Sequence, residues 1–212
     1  MSIELKPIEK KLSITLTEIA SHLPEGSLTL RQLLEEIGEQ GLLIFCIFLT
    51  IPFLIPVSIP GVSTVFGALI ILISIGLLTN RLPWLPEKLM QKSIPKDFLN
   101  TALEKSAHIF EKIDKFSHAR LEQLTQSTTA LQFNGFMLLL GGILLIFPFG
   151  FVPFSNTLPG LAILLLAVGM LQKDGYFVLA GYIMNILTII YFTVLIGGAI
   201  MAGKELWSLF GG

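Results

Sequence analysis

The chain has 212 residues, of which 53% are hydrophobic and only 14% are charged, against about 25% charged in soluble domains. Five stretches, together 100 residues, lack Asp, Glu, Lys, Arg and His; they cover residues 42–59, 61–79, 135–154, 157–172 and 176–202. This segregation predicts an all-α integral membrane protein, and with a net charge of −1 it excludes a secreted disulfide scaffold, a disordered tail and a basic nucleic-acid binder.

Residues 1–41 are polar and amphipathic, and they predict a cytoplasmic or interfacial lead-in. Thr29 and Gln32 have the spacing of a capping box, in which each side chain bonds the other residue's backbone N–H. An apolar stripe at helical spacing follows at Leu30, Leu33, Leu34 and Ile37. We expect this helix to lie in the membrane interface, the alternative being a packed helix of a small soluble subdomain.

Residues 42–80 predict a first membrane hairpin that is broken by prolines. The first arm, residues 42–51, is 10 residues long and would extend about 15 Å, half of a bilayer core of about 30 Å. Pro52, Pro56 and Pro60 then disrupt the helix, and residues 61–79 form the second arm. The hairpin is therefore either re-entrant, turning inside the membrane, or a kinked full span.

Residues 81–131 predict a cytoplasmic amphipathic helical linker. Arg81 and Trp84 directly follow an apolar helix, where such residues are typical interfacial anchors. Apolar residues recur near the helical period from about Pro95 to Leu121, among four lysines. The block holds eight Lys and Arg, so the positive-inside rule places it, and the N-terminus, in the cytoplasm.

Residues 132–174 predict a second hairpin that repeats the first. At an offset of 93 residues, matches include Pro60 with Pro153, Ser63 with Asn156, Thr64 with Thr157, Gly67 with Gly160 and Gly76 with Gly169. We expect parallel repeats, with the glycines at close helix contacts. Residues 175–212 predict a C-terminal transmembrane helix that ends outside the cell, in which Asn185 is best explained as a contact between helices.

The two breaks hold the candidate functional site, which consists of Pro60, Ser63, Thr64, Pro153, Asn156 and Thr157. One interpretation is that the polar side chains only cap the following helices. The other is that the two breaks face one another inside the membrane, where converging helix N-termini would bind an anion such as a lipid-linked phosphate.

These motifs resemble a known family. Residues 51–64 (IPFLIPVSIPGVST), 81–86 (RLPWLP), 153–162 (PFSNTLPGLA) and 173–175 (KDG) are similar to motifs of the ExoD family of bacterial membrane proteins. The resemblance covers roughly Leu12 to Met201, and the chain departs at Ser155 and Gly160, where Gly and Ala are common. It implies a role in exopolysaccharide production in the inner membrane, and it brings no known reaction, cofactor or catalytic residue.

The uncharged stretches contain no carboxylate or histidine for proton coupling, and no nucleotide-binding, nucleophile or zinc motif occurs. We therefore expect no metal, no cofactor and no enzymatic activity. The first hypothesis is a component that assembles or regulates exopolysaccharide synthesis or export. The alternative is a passive or lipid-type transporter for an anionic lipid-linked or sugar substrate. Expected partners are the lipid bilayer, other polysaccharide-synthesis membrane proteins or a lipid-linked sugar, and a second copy of the chain, but not nucleic acid.

Overall fold

The structure is a computed structural model that describes residues 14, 27–29, 31–32, 38–54, 61–81, 87, 91–95, 121–147 and 152–210. These residues include five α-helices: α1 (Glu39–Thr50), α2 (Val62–Thr79), α3 (Thr128–Ile146), α4 (Thr157–Gln172) and α5 (Gly175–Phe210). Short 3-10 helices follow α1 at Ile51–Leu54 and precede α3 at Glu122–Leu124. Pro60, Trp84, the apolar stripe of the lead-in and most of the predicted linker helix lie outside the described residues.

Two short strands add to the helical fold. β1 (Ser27–Thr29) pairs antiparallel with β2 (Ser93–Pro95), so that Leu28 lies opposite Ile94. Our all-α prediction missed this pair because three residues are too few to show an alternating pattern. The capping box beside it is confirmed, since the Thr29 N–H donates to Gln32 Oε1 over 3.0 Å and the Gln32 N–H donates to Thr29 Oγ1 over 3.3 Å.

Helices α1 to α4 pack as a bundle in which α1 contacts α2 and α4, and α3 also contacts α2 and α4. Helices α2 and α3 run antiparallel, since Gly67 faces Ile146 and Leu78 faces Gly135. The closest approaches occur at glycines, as expected. A Cβ on Gly67 of α2 would lie 2.6 Å from Ile146 Cγ1 of α3, and one on Gly160 of α4 would lie 3.1 Å from Phe53 Cβ. Helix α1 therefore packs against α4 and α2 packs against α3. The described residues beside the two predicted breaks, Phe53, Gly67, Ile146 and Gly160, lie at one end of the bundle, hereafter the break end.

Within the part of the chain that the structure describes, three helices are long and apolar enough to cross a membrane, namely Val62–Thr79, Thr128–Ile146 and Gly175–Lys204. This supports the predicted class of a helical membrane protein in its general form. The predicted second hairpin begins at residue 132, whereas α3 has 19 residues and begins at Thr128. Ser127 caps it by accepting from the Ala130 N–H over 3.1 Å. The first part of α3 shows no apolar run, because it contains the polar residues Thr128, Gln132 and Asn134. Hydropathy alone therefore does not predict that the helix begins there.

Helix α5 runs antiparallel to α4 and extends past the bundle. A Cβ on Gly181 would lie 2.6 Å from Leu166 Cγ, and ten residues further along α5 the Tyr191 hydroxyl bonds Pro153 O at the break end. Beyond Phe192 the helix has no such support: no described atom lies within 4 Å of a Cβ placed on Gly197, Gly198 or Gly203. The described side chains of α5 after Phe192 extend from Thr193 to Lys204. All of them are exposed except Leu195, which is half-buried.

Candidate polar site at the hairpin breaks

The polar residues of the two breaks differ in exposure. Ser63 and Asn156 are only 8% and 5% exposed, and Ser155, which we did not select from the sequence, is 1% exposed. Thr157 is half-buried, whereas Thr64 and Pro153 are exposed. The structure therefore places one buried polar residue of each predicted set, Ser63 and Asn156, in the first turn or at the N-cap of its helix.

The capping interpretation receives little support from the geometry. The N-cap of α2 is Gly61, whose φ of 84° lies in the left-handed region, and the N-cap of α4 is Asn156. Gly61 has no side chain with which to cap α2, and the Asn156 side chain makes no cap bond to α4. At the start of α4 the Leu158 N–H donates to Phe154 O over 3.1 Å and the Gly160 N–H donates to Asn156 O over 3.0 Å, so the backbone itself provides acceptors there.

An apolar side chain joins the two helix starts. Phe53, in the 3-10 helix after α1, is 3% exposed and lies edge-on to Phe66 of α2 with ring centroids 5.8 Å apart. Its Cβ also lies beside Gly160 of α4. Phe53 thus contacts the second turn of α2 and the first turn of α4. The sequence analysis did not select Phe53, because only the folded chain brings it beside Gly160. That the polar side chains of the two breaks meet stays a prediction.

Helix α5 contacts the residues on both sides of the second predicted break. The Tyr191 hydroxyl donates to Pro153 O over 2.6 Å, near the end of the break. The ring of Phe192 lies against Phe147, the first residue after α3, with centroids 5.6 Å apart. Two successive residues of α5 therefore fix the position of the chain that leads from α3 into α4.

A second set of buried polar groups lies nearer the other end of the bundle. The Tyr182 hydroxyl of α5 donates to Asn134 Oδ1 of α3, and Asn134 Nδ2 donates to Leu124 O over 2.8 Å. Asn185 Nδ2 of α5 donates to Met137 O of α3 over 2.9 Å, which confirms its predicted role as a contact between helices. These bonds tie α5 and the segment before α3 to the bundle.

The predicted anchor Arg81 ends α2 in a turn that recurs after α4. Asn80 has a φ of 51°, and the Arg81 N–H donates to Gly76 O over 2.9 Å. Lys173 has a φ of 53°, and the Asp174 N–H donates to Gly169 O over 2.9 Å. Both are Schellman turns at the predicted offset of 93 residues. The Arg81 side chain is exposed at this end of the bundle, as an interfacial anchor would be.

No three His, Cys, Asp or Glu side chains within the described ranges are arranged to hold a metal ion. The break end holds buried polar side chains at the starts of two helices: Ser63 at α2, and Ser155 and Asn156 at α4.

Comparison with known proteins identifies the family. The sequence pattern of the family described as "Exopolysaccharide synthesis, ExoD" matches residues 12–194. The protein named "Protein ExoD" of Rhizobium meliloti is 48% identical over 210 residues, covering 99% of this chain and 88% of that protein. An uncharacterised protein of Synechocystis sp. is 28% identical over 162 residues, covering 76% of this chain and 75% of that protein. No solved structure shows significant similarity to the chain. On the extent of the first two matches, the chain belongs to the ExoD family of exopolysaccharide-synthesis proteins.

Proposed function

We propose that the protein is a non-enzymatic component of exopolysaccharide synthesis or export in the bacterial inner membrane, and that the break end is its functional centre. Family membership supports the process. The apolar helices support the membrane location, and the Lys and Arg of residues 81–131 support a cytoplasmic N-terminus. The proposal includes that the two hairpins are parallel, re-entrant repeats, which the recurring turns after α2 and α4 support.

The burial of three polar side chains at the starts of α2 and α4 is the observation that carries this proposal; they are Ser63, Ser155 and Asn156. Polar groups at membrane depth cost free energy unless they are hydrogen-bonded, so proteins place them there for packing or for function. Two helix N-termini at one end of the bundle also favour negative charge. An anionic group of the polysaccharide machinery, such as a lipid-linked phosphate, has suitable chemistry for this position.

Replacing Asn156 with Leu tests the proposal, because Leu keeps the bulk and removes both the donor and the acceptor. In cells that lack the native gene, we expect Asn156→Leu to reduce exopolysaccharide output at wild-type protein level. Asn185→Leu is the matched control, since Asn185 is also buried but donates to Met137 O of α3, away from the break end. Its output should follow its protein level. Unchanged output of Asn156→Leu at wild-type abundance would contradict the functional role of the break end.

A passive or lipid-type transporter for an anionic lipid-linked or sugar substrate is the second candidate. The position of Phe53 favours it, because one apolar ring contacts the starts of both helices and would separate any polar group bound between them from the bundle interior. Liposomes that contain the purified protein should then move a labelled polyprenyl phosphate or sugar lipid across the bilayer. Protein that restores exopolysaccharide in cells but moves neither lipid would leave the first candidate alone.

A further inference from the structure

A turn in the second predicted break holds a phenylalanine in a conformation that favours glycine. The turn covers residues 152–155 and is closed by the Ser155 N–H, which donates to Val152 O over 3.3 Å. Pro153 and Phe154 are its central residues, and Phe154 has a φ of 64°. A proline followed by a residue with positive φ is the pattern of a type II turn, in which the second of these residues is usually Gly or Asn. For a bulky L-residue the conformation is sterically costly, because Cβ approaches the following carbonyl oxygen.

The first half of the predicted repeat has a glycine at the corresponding position. Gly61 precedes Phe154 by the offset of 93 residues and has a φ of 84°. Gly61 O accepts from the Val65 N–H over 3.3 Å. At the same offset, Phe154 O accepts from the Leu158 N–H over 3.1 Å. The two positions therefore share a backbone conformation that glycine adopts without strain, and the second position carries an aromatic side chain instead.

The side chain of Phe154 is 55% exposed, so packing within the protein accounts for only part of it. Strained backbone conformations in folded proteins are concentrated at functional sites. Two other residues with positive φ, Asn80 and Lys173, have a structural reason, since they close α2 and α4 in Schellman turns. Phe154 closes no helix, and the strain at this position therefore indicates a function of its exposed ring.

Polar groups lie beside this ring along the chain. The Tyr191 hydroxyl donates to the carbonyl oxygen of Pro153, the residue before Phe154, and this bond is exposed. A phenol oxygen that donates one hydrogen bond can still accept another. The two residues after Phe154, Ser155 and Asn156, are polar and buried. A ligand that contacts the ring therefore also needs groups that hydrogen-bond.

We infer that Phe154 binds a sugar ring. The C–H groups on one face of a sugar carry partial positive charge and stack on the negative face of an aromatic ring, while sugar hydroxyls donate to acceptors such as Tyr191 Oη. A lipid acyl chain has only apolar groups, which an aliphatic side chain contacts as well as an aromatic one. The inference rests on the proposed function, in which the break end is the functional centre, and it names the class of ligand.

Replacing Phe154 with Gly, the residue of the first half of the repeat, separates strain from function. Phe154→Gly should melt about 2–4 °C higher than the wild type in detergent, because glycine adopts this conformation freely. In cells that lack the native gene, its exopolysaccharide output should fall at wild-type protein level. Leu121→Gly is the matched control: Leu121 has a φ of 50° and is 46% exposed, but it precedes α3 and lies away from the break end. This variant should keep the wild-type output.

Two further substitutions distinguish a sugar from the bilayer as the partner of the ring. Phe154→Tyr keeps the aromatic face and should keep the output. Phe154→Leu keeps an apolar side chain without a ring and should lose output as Phe154→Gly does. Wild-type output of Phe154→Leu would mean that the side chain contacts lipid, and it would overturn the inference.

Binding is measured with the purified full chain in deuterated detergent. The probes are oligosaccharides released by mild acid from wild-type exopolysaccharide, and lipid-linked sugars extracted from the same cells. Saturation of the aromatic protons of the protein should transfer to sugar C–H protons in the NMR spectrum, and Phe154→Gly should weaken binding roughly tenfold. Transfer to the free oligosaccharides identifies the polymer as the source of the sugar, and transfer only to the lipid-linked sugars identifies the precursor.

Three results would overturn the sugar contact: no saturation transfer to either probe, wild-type output of Phe154→Gly, or a Phe154→Gly protein that melts lower than the wild type, which would mean that the ring acts through packing. The outcome is separable from the proposed function. If Asn156→Leu lowers output while Phe154→Gly does not, the sugar contact falls and the role of the break end stands. If Phe154→Gly weakens sugar binding while Asn156→Leu leaves output unchanged, the sugar contact stands and the proposed function falls.

Discussion

Two tyrosines of α5 make hydrogen bonds in different surroundings, and this difference allows a matched comparison. Tyr182 donates to Asn134 Oδ1, and Asn134 is fully buried. Tyr191 donates to Pro153 O, where the bond is exposed. A buried acceptor that loses its donor costs the desolvation of that group, whereas an exposed carbonyl can find water or a lipid headgroup.

We therefore expect Tyr182→Phe to lower the free energy of unfolding by about 1–3 kcal/mol. Tyr191→Phe should lower it by about 1 kcal/mol or less. Both changes remove one hydroxyl from the same helix, so each serves as the control for the other. Denaturation of the purified protein in detergent, followed by circular dichroism, measures the two values. Equal losses would mean that burial of Asn134 does not decide the cost.

At the scale of the helices, the packing of α2 against α3 depends on Gly67. A Cβ there would lie 2.6 Å from Ile146 Cγ1 and 3.0 Å from the backbone oxygen of Gly142. The isoleucine could move, but the backbone oxygen belongs to the facing helix, so the two helices must separate. Gly197 of α5 has no described atom within 4 Å of the same position.

Gly67→Ala is expected to destabilise the protein by about 1–3 kcal/mol through overpacking. Gly197→Ala should be neutral or stabilising by up to about 1 kcal/mol, because alanine loses less conformational entropy in a helix. Thermal unfolding of the two variants in the same detergent gives the comparison. A stable Gly67→Ala protein would show that α2 and α3 are not held at this distance.

The sequence predicts those elements that depend on residues close to one another along the chain, and it does not predict those that depend on tertiary contacts. The capping box at Thr29 and Gln32 and the turns after Gly76 and Gly169 depend on neighbours within five residues, and they could be predicted or matched by offset. The start of α3 could not be found by hydropathy, because Ser127 and the polar residues after it give a helix without an apolar run. The place of Phe53 between α2 and α4 depends on tertiary packing, which a single sequence does not show.

For the whole molecule, the orientation in the membrane stays a prediction from the Lys and Arg of residues 81–131. In a Cys46→Ser background, single Lys105→Cys and Ser208→Cys variants can be treated in intact cells with a membrane-impermeant thiol reagent. We expect labelling at position 208 only. Labelling at position 105 in cells shown to be sealed would reverse the orientation.

The pairing of β1 with β2 also constrains how the protein is made. Hydrogen-bonded strands must share one compartment, so residues 27–29 and 93–95 lie on the same side of the membrane, and the chain between them must enter and return by one face. During synthesis, β2 leaves the ribosome only after α2 is complete. A chain that stops before Ser93 therefore lacks the partner of β1. The synthesis of residues 93–95 is therefore the earliest point at which β1 can pair with β2. This half of the protein cannot acquire its final arrangement before that point.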